Sequence, residues 1–225
     1  EQWTPRMVWG VEDIVMCPGK EDMFRFLEDI VREVVPLFPG KYFHIGGDEC
    51  PKTSWKNCPT CQKRIEAEGL QADGKHSAEE RLQSYVIKRM EKMLAKYGRK
   101  IIGWDEILEG GLSPEATVMS WRGTSGGISA ALQKHDVIMT PGSGGLYLDH
   151  YQGDYKIEPV TIPSAPAYLS RTYNYEPVPD TIKSLGLEKH ILGVQCNNWS
   201  EYMYTNAKME YQMYPRSLAL AEIAW

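Results

Sequence analysis

The sequence predicts a parallel α/β fold, read as an incomplete (β/α)8 TIM barrel that carries about strands 4 to 8 with their helices. Three observations predict it. Short apolar runs alternate with helical patterns along the chain, which is the signature of strands joined by crossover helices. Each run ends in chemically unusual residues (GGDE, GWDE, SWRG, NNWSE); a barrel builds its site from the loops after all its strands, whereas an open sheet uses mainly its switch point. Only five such runs occur in 225 residues, and a closed barrel needs eight strands and about 250 residues. Residues 1–225 therefore read as one partial barrel domain, with the N-terminal strands and any accessory domain absent.

The elements follow in order. Phe24, Leu27, Ile30, Val31, Val34 and Val35 recur at helical spacing between Asp22 and Phe38, and Pro36 and Pro39-Gly40 should end that helix. The strand YFHI follows. Residues 77–97 place Leu82, Val86, Met90, Met93 and Tyr97 on one helical face, with Gly98 as the stop. KIIGW at 100–104 is the next strand, then TVMSW at 117–121, a helix over 128–135, DVIMT at 136–140, a long loop, a short helix over 180–185, ILGVQC at 191–196 and a last helix over 206–225. The Pro-rich piece at 162–179 reads as a long functional loop within the domain.

Composition narrows the function. A net charge of -5 with no long Lys/Arg cluster gives no reason to expect nucleic acid or an anionic membrane as partner, and a neutral substrate fits better. Seven tryptophans and 13 tyrosines supply flat amphipathic rings suited to the apolar faces of sugars. No apolar stretch is long enough to span a bilayer and no signal peptide is visible, and the start at Glu1 without a Met reads as a processed or excised piece. Five cysteines (Cys17, Cys50, Cys58, Cys61, Cys196) cannot all pair internally. Cys58-Pro-Thr-Cys61 is a lone C-x-x-C. A zinc site would need further ligands, which Cys17 and Cys50 could help supply, but a loop disulfide or free thiols require fewer coincidences, so no metal and no cofactor are expected.

The segment KYFHIGGDECPKTSW puts Asp48 beside Glu49. Neighbours on a strand point to opposite faces, so the two carboxylates can share a site only where the strand yields to a loop, and Gly46 and Gly47 permit that break. A solvated acidic turn is the alternative. The other strand ends contribute Trp104, Asp105, Glu106, Trp121, Arg122, Tyr147, Asp149, Trp199 and Glu201. One such Trp is usually core; three in equivalent positions beside acids suggest an aromatic-walled pocket in which carboxylates bind hydroxyls or act at a glycosidic bond.

These residues carry a resemblance. H-I-G-G-D-E at 44–49, G-W-D-E at 103–106, S-W at 120–121, Y-L-D at 147–149 and W-S-E at 199–201 resemble, in order and over nearly the whole chain, the β-N-acetylhexosaminidases of glycoside hydrolase family 20. The loop GGDECPKTSWKNCPTCQ is similar to that of bacterial members. The resemblance implies removal of terminal β-linked N-acetylhexosamines from glycans by a retaining mechanism in which the substrate's own 2-acetamido oxygen attacks the anomeric carbon, a known exception to the two-carboxylate scheme. By carry-over, Glu49 is the general acid and later base, Asp48 receives the acetamido N–H and stabilises the oxazolinium, and Tyr147 hydrogen-bonds the acetamido oxygen. Trp104, Trp121 and Trp199 wall the pocket, and Asp149 and Glu201 hold ring hydroxyls. The charge of Asp48 is expected to keep Glu49 protonated, so that the pair divides its labour.

His44 reads as a hydrogen-bonding support or an ordinary core histidine, Asp105 and Glu106 as solvated loop acids, and Arg122 as an ion-pair partner. The family's arginine that grips sugar hydroxyls, and a histidine after its third strand, have no counterpart here. The isolated chain is therefore expected to be weakly active or inactive, and its unpaired edges at 41–45 and 191–196 are open to partner chains, including copies of itself. The parent is expected in the periplasm or outside the cell. Two rival readings stand beside this one, a non-catalytic carbohydrate-binding fragment and a two-carboxylate retaining glycosidase.

Overall fold

The computed structural model describes residues 7, 8 and 10–225. The chain divides into two compact units, Glu1–Ile101 with Glu106–Glu115, and Ile102–Asp105 with Ala116–Trp225.

The first unit opens with α1, Glu21–Val34, which buries Met23, Phe24 and Val31. A 3-10 turn at Val35–Leu37 with Pro36 inside it ends the helix, because proline cannot continue the α ladder. Strand β1 spans Tyr42–His44. Two helices follow where the sequence reads as loop: α2, Thr53–Lys56, and α3, Pro59–Ala67. Pro59 sits in the first turn of α3, where its missing N–H costs nothing. Helix α4, Ala78–Ala95, starts on a capping box in which Ser77 accepts from the Glu80 amide and the Glu80 carboxylate accepts from the Ser77 amide, an arrangement worth about 1 kcal/mol. It ends before Gly98, whose φ of 67° is the left-handed stop expected there. Trp55, Cys61, Ile65 and Leu82 form a core cluster of this unit.

Strand β2, Lys100–Trp104, runs from one unit into the other. The second unit continues with β3, Thr117–Ser120; α5, Ser125–Leu132; β4, Val137–Met139; α6, Leu169–Tyr173; α7, Asp180–Ser184; β5, Ile191–Val194; α8, Asn206–Met213; and α9, Arg216–Ala224. The strands pair in chain order, β1 to β5, and the β2–β3, β3–β4 and β4–β5 ladders are parallel. All four residues of β3 are buried, as in a parallel strand covered on both faces. Helix α5 lies close to the sheet through Gly127, where a Cβ would come within 2.7 Å of the Met139 sulfur and 3.0 Å of Val137. The expected last helix is broken in two at Pro215, which lacks the amide a continuous helix would use. No helix among the described residues is long and apolar enough to cross a membrane.

Candidate active site

In the first unit the double glycine after β1 does what the sequence suggests. Gly46 and Gly47 take φ of 71° and 92°, and Glu49 itself sits at 45°. The alternation of a strand is thus lost, and Asp48 and Glu49 line one cleft of about 400 Å³ with Gly47, Cys50, Trp55 and Gln83 among largely apolar neighbours. Glu49 is one of two non-glycine residues at positive φ among the described residues, a conformation that costs about 1–2 kcal/mol and collects at functional sites.

The backbone beside the acids is held from below. Gln83, buried on α4, donates to the carbonyls of Glu106 at 2.9 Å and Gly47 at 3.4 Å. Lys52 donates to the Cys50 carbonyl at 2.8 Å, to Gln83 and to Glu109 at 3.2 Å. A Cβ on Gly47 would meet Ile107 at 2.6 Å. His44 is exposed, and its Nδ1 accepts the Gly46 N–H at 3.1 Å. It supports the turn and is not a core histidine.

In the second unit the aromatic residues form one continuous row. Trp104, at the end of β2, lies 6.0 Å from Trp199 and 6.5 Å from Trp121, and Trp121 stacks on Tyr147 at 6.4 Å and 13°. Such pairs contribute about 0.5–1.5 kcal/mol each beyond their burial. Parallel register places Trp104 opposite Met119, two residues before Trp121, and a bridge between Tyr147 and Asn197 brings Tyr147 near Trp199. Burial raises the pKa of the Tyr147 hydroxyl.

Asp149 is 1% exposed. Burial, opposed by the amides of Asp149 and Trp199 and reinforced by the Glu201 charge, pushes its carboxyl up to about 6. Its oxygens, and Oε2 of Glu201, find no hydrogen-bond partner of ordinary geometry. Buried acceptors left so are rare in folded proteins and call for a donor from elsewhere.

Two readings of the sequence need correction. Asp105 is not a solvated loop acid: it is 2% exposed, accepts from the amides of Trp121 at 3.0 Å and Arg122 at 3.2 Å, and pairs with the Arg122 guanidinium at 2.5 Å. It fixes the backbone that presents Trp121, and Arg122 is its ion-pair partner. Glu106 is also buried, at 6% exposure.

The largest omission is Arg216. This fully buried side chain donates to the carbonyls of Leu148, His150, Ala167 and Gln212 at 2.5–3.2 Å. Gln212, one turn earlier, donates to the Asp149 carbonyl at 2.9 Å, to which the Thr161 hydroxyl also donates. The 147–150 segment is therefore clamped by α8 and α9. An arginine immediately before the largely apolar run SLALAEIAW, four residues after a glutamine, was the available signal.

The model of the glycosyl hydrolase family 20 catalytic domain matches residues 1–225. A β-hexosaminidase of Porphyromonas gingivalis is 58% identical over 100% of this chain and 28% of its own length, and one of Vibrio furnissii is 35% identical over 98% of this chain and 35% of its own. The crystal structure of a family 20 exo-β-N-acetylglucosaminidase from Vibrio harveyi in complex with N-acetylglucosamine superposes with a TM-score of 0.83 at 30% identity, covering 94% of this chain and 32% of that one. The chain thus spans about a third of the length of these relatives. With the parallel strands, the double-glycine acid loop and the aromatic row in place, the chain belongs to glycosyl hydrolase family 20, as part of its catalytic barrel.

Proposed function

We propose that this chain carries the catalytic residues of a retaining, substrate-assisted β-N-acetylhexosaminidase that removes terminal GlcNAc or GalNAc from β-linked glycans. The observation that carries the reading is the row Trp199, Trp104, Trp121, Tyr147, which ends two residues from the orphaned carboxylate of Asp149. Indole faces accept the C–H faces of a sugar and an acetamide methyl, and orphaned buried acceptors suit ring hydroxyls. Asp149 and Glu201 take the hydroxyls, and the Tyr147 hydroxyl donates to the acetamido oxygen.

Glu49 gives its proton to the glycosidic oxygen as the bond to the anomeric carbon breaks, and the acetamido oxygen attacks that carbon from the opposite face. Asp48 accepts the acetamido N–H and balances the positive oxazolinium. The aglycone leaves as an alcohol. Glu49, now a carboxylate, takes a proton from water as that water opens the oxazolinium, and the anomer is retained. General acid catalysis contributes about 10²- to 10⁴-fold, while an oriented internal nucleophile reaches effective molarities of about 10⁵–10⁸ M. Positioning the acetamide is therefore the larger contribution, and it falls to Asp48, Tyr147 and the tryptophans.

The test is release of nitrophenol from nitrophenyl N-acetyl-β-glucosaminide and from the matching β-glucoside, alongside tryptophan fluorescence titration with N-acetylglucosamine and glucose. The N-acetyl substrate alone should turn over, and N-acetylglucosamine should bind at least tenfold tighter than glucose. The titration reads the acetamide pocket even if turnover by the isolated chain is weak. Equal turnover of the two substrates, or equal binding of the two sugars, would sink the acetamide-directed mechanism.

A further inference from the structure

Outside the sugar site, three thiols meet in the first unit. Cys17 Sγ lies 3.7 Å from Cys58 Sγ and 3.4 Å from Cys61 Sγ, and all three sulfurs fall within 4.8 Å of one another. Zinc–thiolate bonds of about 2.3 Å in a tetrahedron set sulfurs about 3.8 Å apart, whereas a disulfide brings two of them to about 2.05 Å and leaves a third without a role.

Backbone packing builds the cluster, so it does not depend on side-chain rotamers alone. Cys17-Pro18-Gly19-Lys20 and Cys58-Pro59-Thr60-Cys61 form two short turns, closed by the Lys20 amide on the Cys17 carbonyl at 3.1 Å and the Gln62 amide on the Cys58 carbonyl at 3.0 Å. The turns press together at Gly19, where a Cβ would come within 2.4–2.7 Å of the Thr60 carbonyl carbon and oxygen and the Cys61 nitrogen. Only glycine fits that contact.

Arg64, one turn beyond Cys61, donates to the Gly19 carbonyl at 3.5 Å and places a cation near what would be a negatively charged metal-thiolate group. Trp55, Ile65 and Leu82 pack around the fully buried Cys61.

We propose that Cys17, Cys58 and Cys61 bind a structural Zn²⁺ ion through three thiolates. The fourth position falls to a water or to Cys50, which packs on the same core cluster but lies outside the trio. Zinc is the choice because three thiolates spaced as in a tetrahedron favour a borderline-soft, redox-silent cation over harder ones. Binding would release thiol protons and tie the segment before α1 to the first turn of α3. The site is independent of the glycosidase reading.

The experiment is elemental analysis of the purified chain after exposure to zinc and gel filtration, paired with cobalt substitution and mass spectrometry of the unreduced chain. About one zinc per chain is expected, with thiolate-to-cobalt charge-transfer bands in the cobalt form. Cys17→Ser and Cys58→Ser should each lower zinc retention at least fivefold, while Cys196→Ser leaves it unchanged. The unmodified chain gives the decisive reading if a variant fails to fold. A chain that retains no zinc with its thiols reduced, or a disulfide joining any two of the three, would overturn the proposal.

Discussion

The acid loop of the first unit and the aromatic row of the second reach order by opposite means. Asp48 and Glu49 are half-buried and exposed; their direction is set by dihedrals, two glycines and a left-handed glutamate, with Gln83 and Lys52 holding the backbone and little gripping the acids themselves. Tyr147 and Asp149 lie in a segment whose carbonyls are held by Arg216, Gln212 and Thr161, and Trp121 rides on a backbone held by Asp105. In the proposed mechanism the group that gives and takes a proton thus keeps its side chain free on a determined backbone, while the groups proposed to hold the sugar are locked by packing and buried hydrogen bonds.

The contrast can be broken at either end. The largest effect is expected from Glu49→Gln, which should lower kcat on nitrophenyl N-acetyl-β-glucosaminide by about 10²- to 10⁴-fold with an unchanged denaturation midpoint. A midpoint that moves with activity would show that Glu49 is structural. Arg216→Met should do the reverse, lowering stability by about 3 kcal/mol or more as four buried carbonyls lose their donor. Urea titration reads that loss, and tryptophan emission should shift as the row loosens.

Gly47→Ala tests whether the acid loop is set by backbone geometry. With φ at 92° and Ile107 only 2.6 Å from the added carbon, it should cost about 1–3 kcal/mol in a urea melt, and a neutral result would mean the turn is adaptable. The smallest effect is a pH dependence. The folded-state pKa of Asp149 is raised from 3.8 to about 6, so its contribution to stability is fully present below 3.8 and lost as pH rises through about 6. Asp149→Asn should remove that part of the fall, which parallel urea melts across the range would detect; identical profiles for the two proteins would exclude Asp149 as its source.

Much of the fold was legible because strand and helix periods are local. KIIGW at 100–104 is β2 to the residue, the five strands lie where apolar runs predict them, and the aromatic candidates do meet in one row. The misreadings share a cause. Asp105 looks like a loop acid until Trp121 and Arg122, 16 and 17 residues later, are folded onto it. Arg216 acts on carbonyls 66 and 68 residues away, a distance no periodicity spans. Helix α3 was hidden because proline, threonine and cysteine open it, and these read as turn residues without the packing of Cys61 and Ile65 that stabilises it.

The Arg216 clamp also has a consequence for synthesis. Its donors come from α9, while three of the four carbonyls it holds lie 49–68 residues earlier. During translation those carbonyls emerge first and stay hydrated until α9 leaves the ribosome. A nascent chain, or one clipped by a protease just before α9, therefore keeps every aromatic residue of the row yet lacks the anchor that sets Tyr147 and Asp149, so the order of this aromatic wall waits on a helix made well after the wall itself.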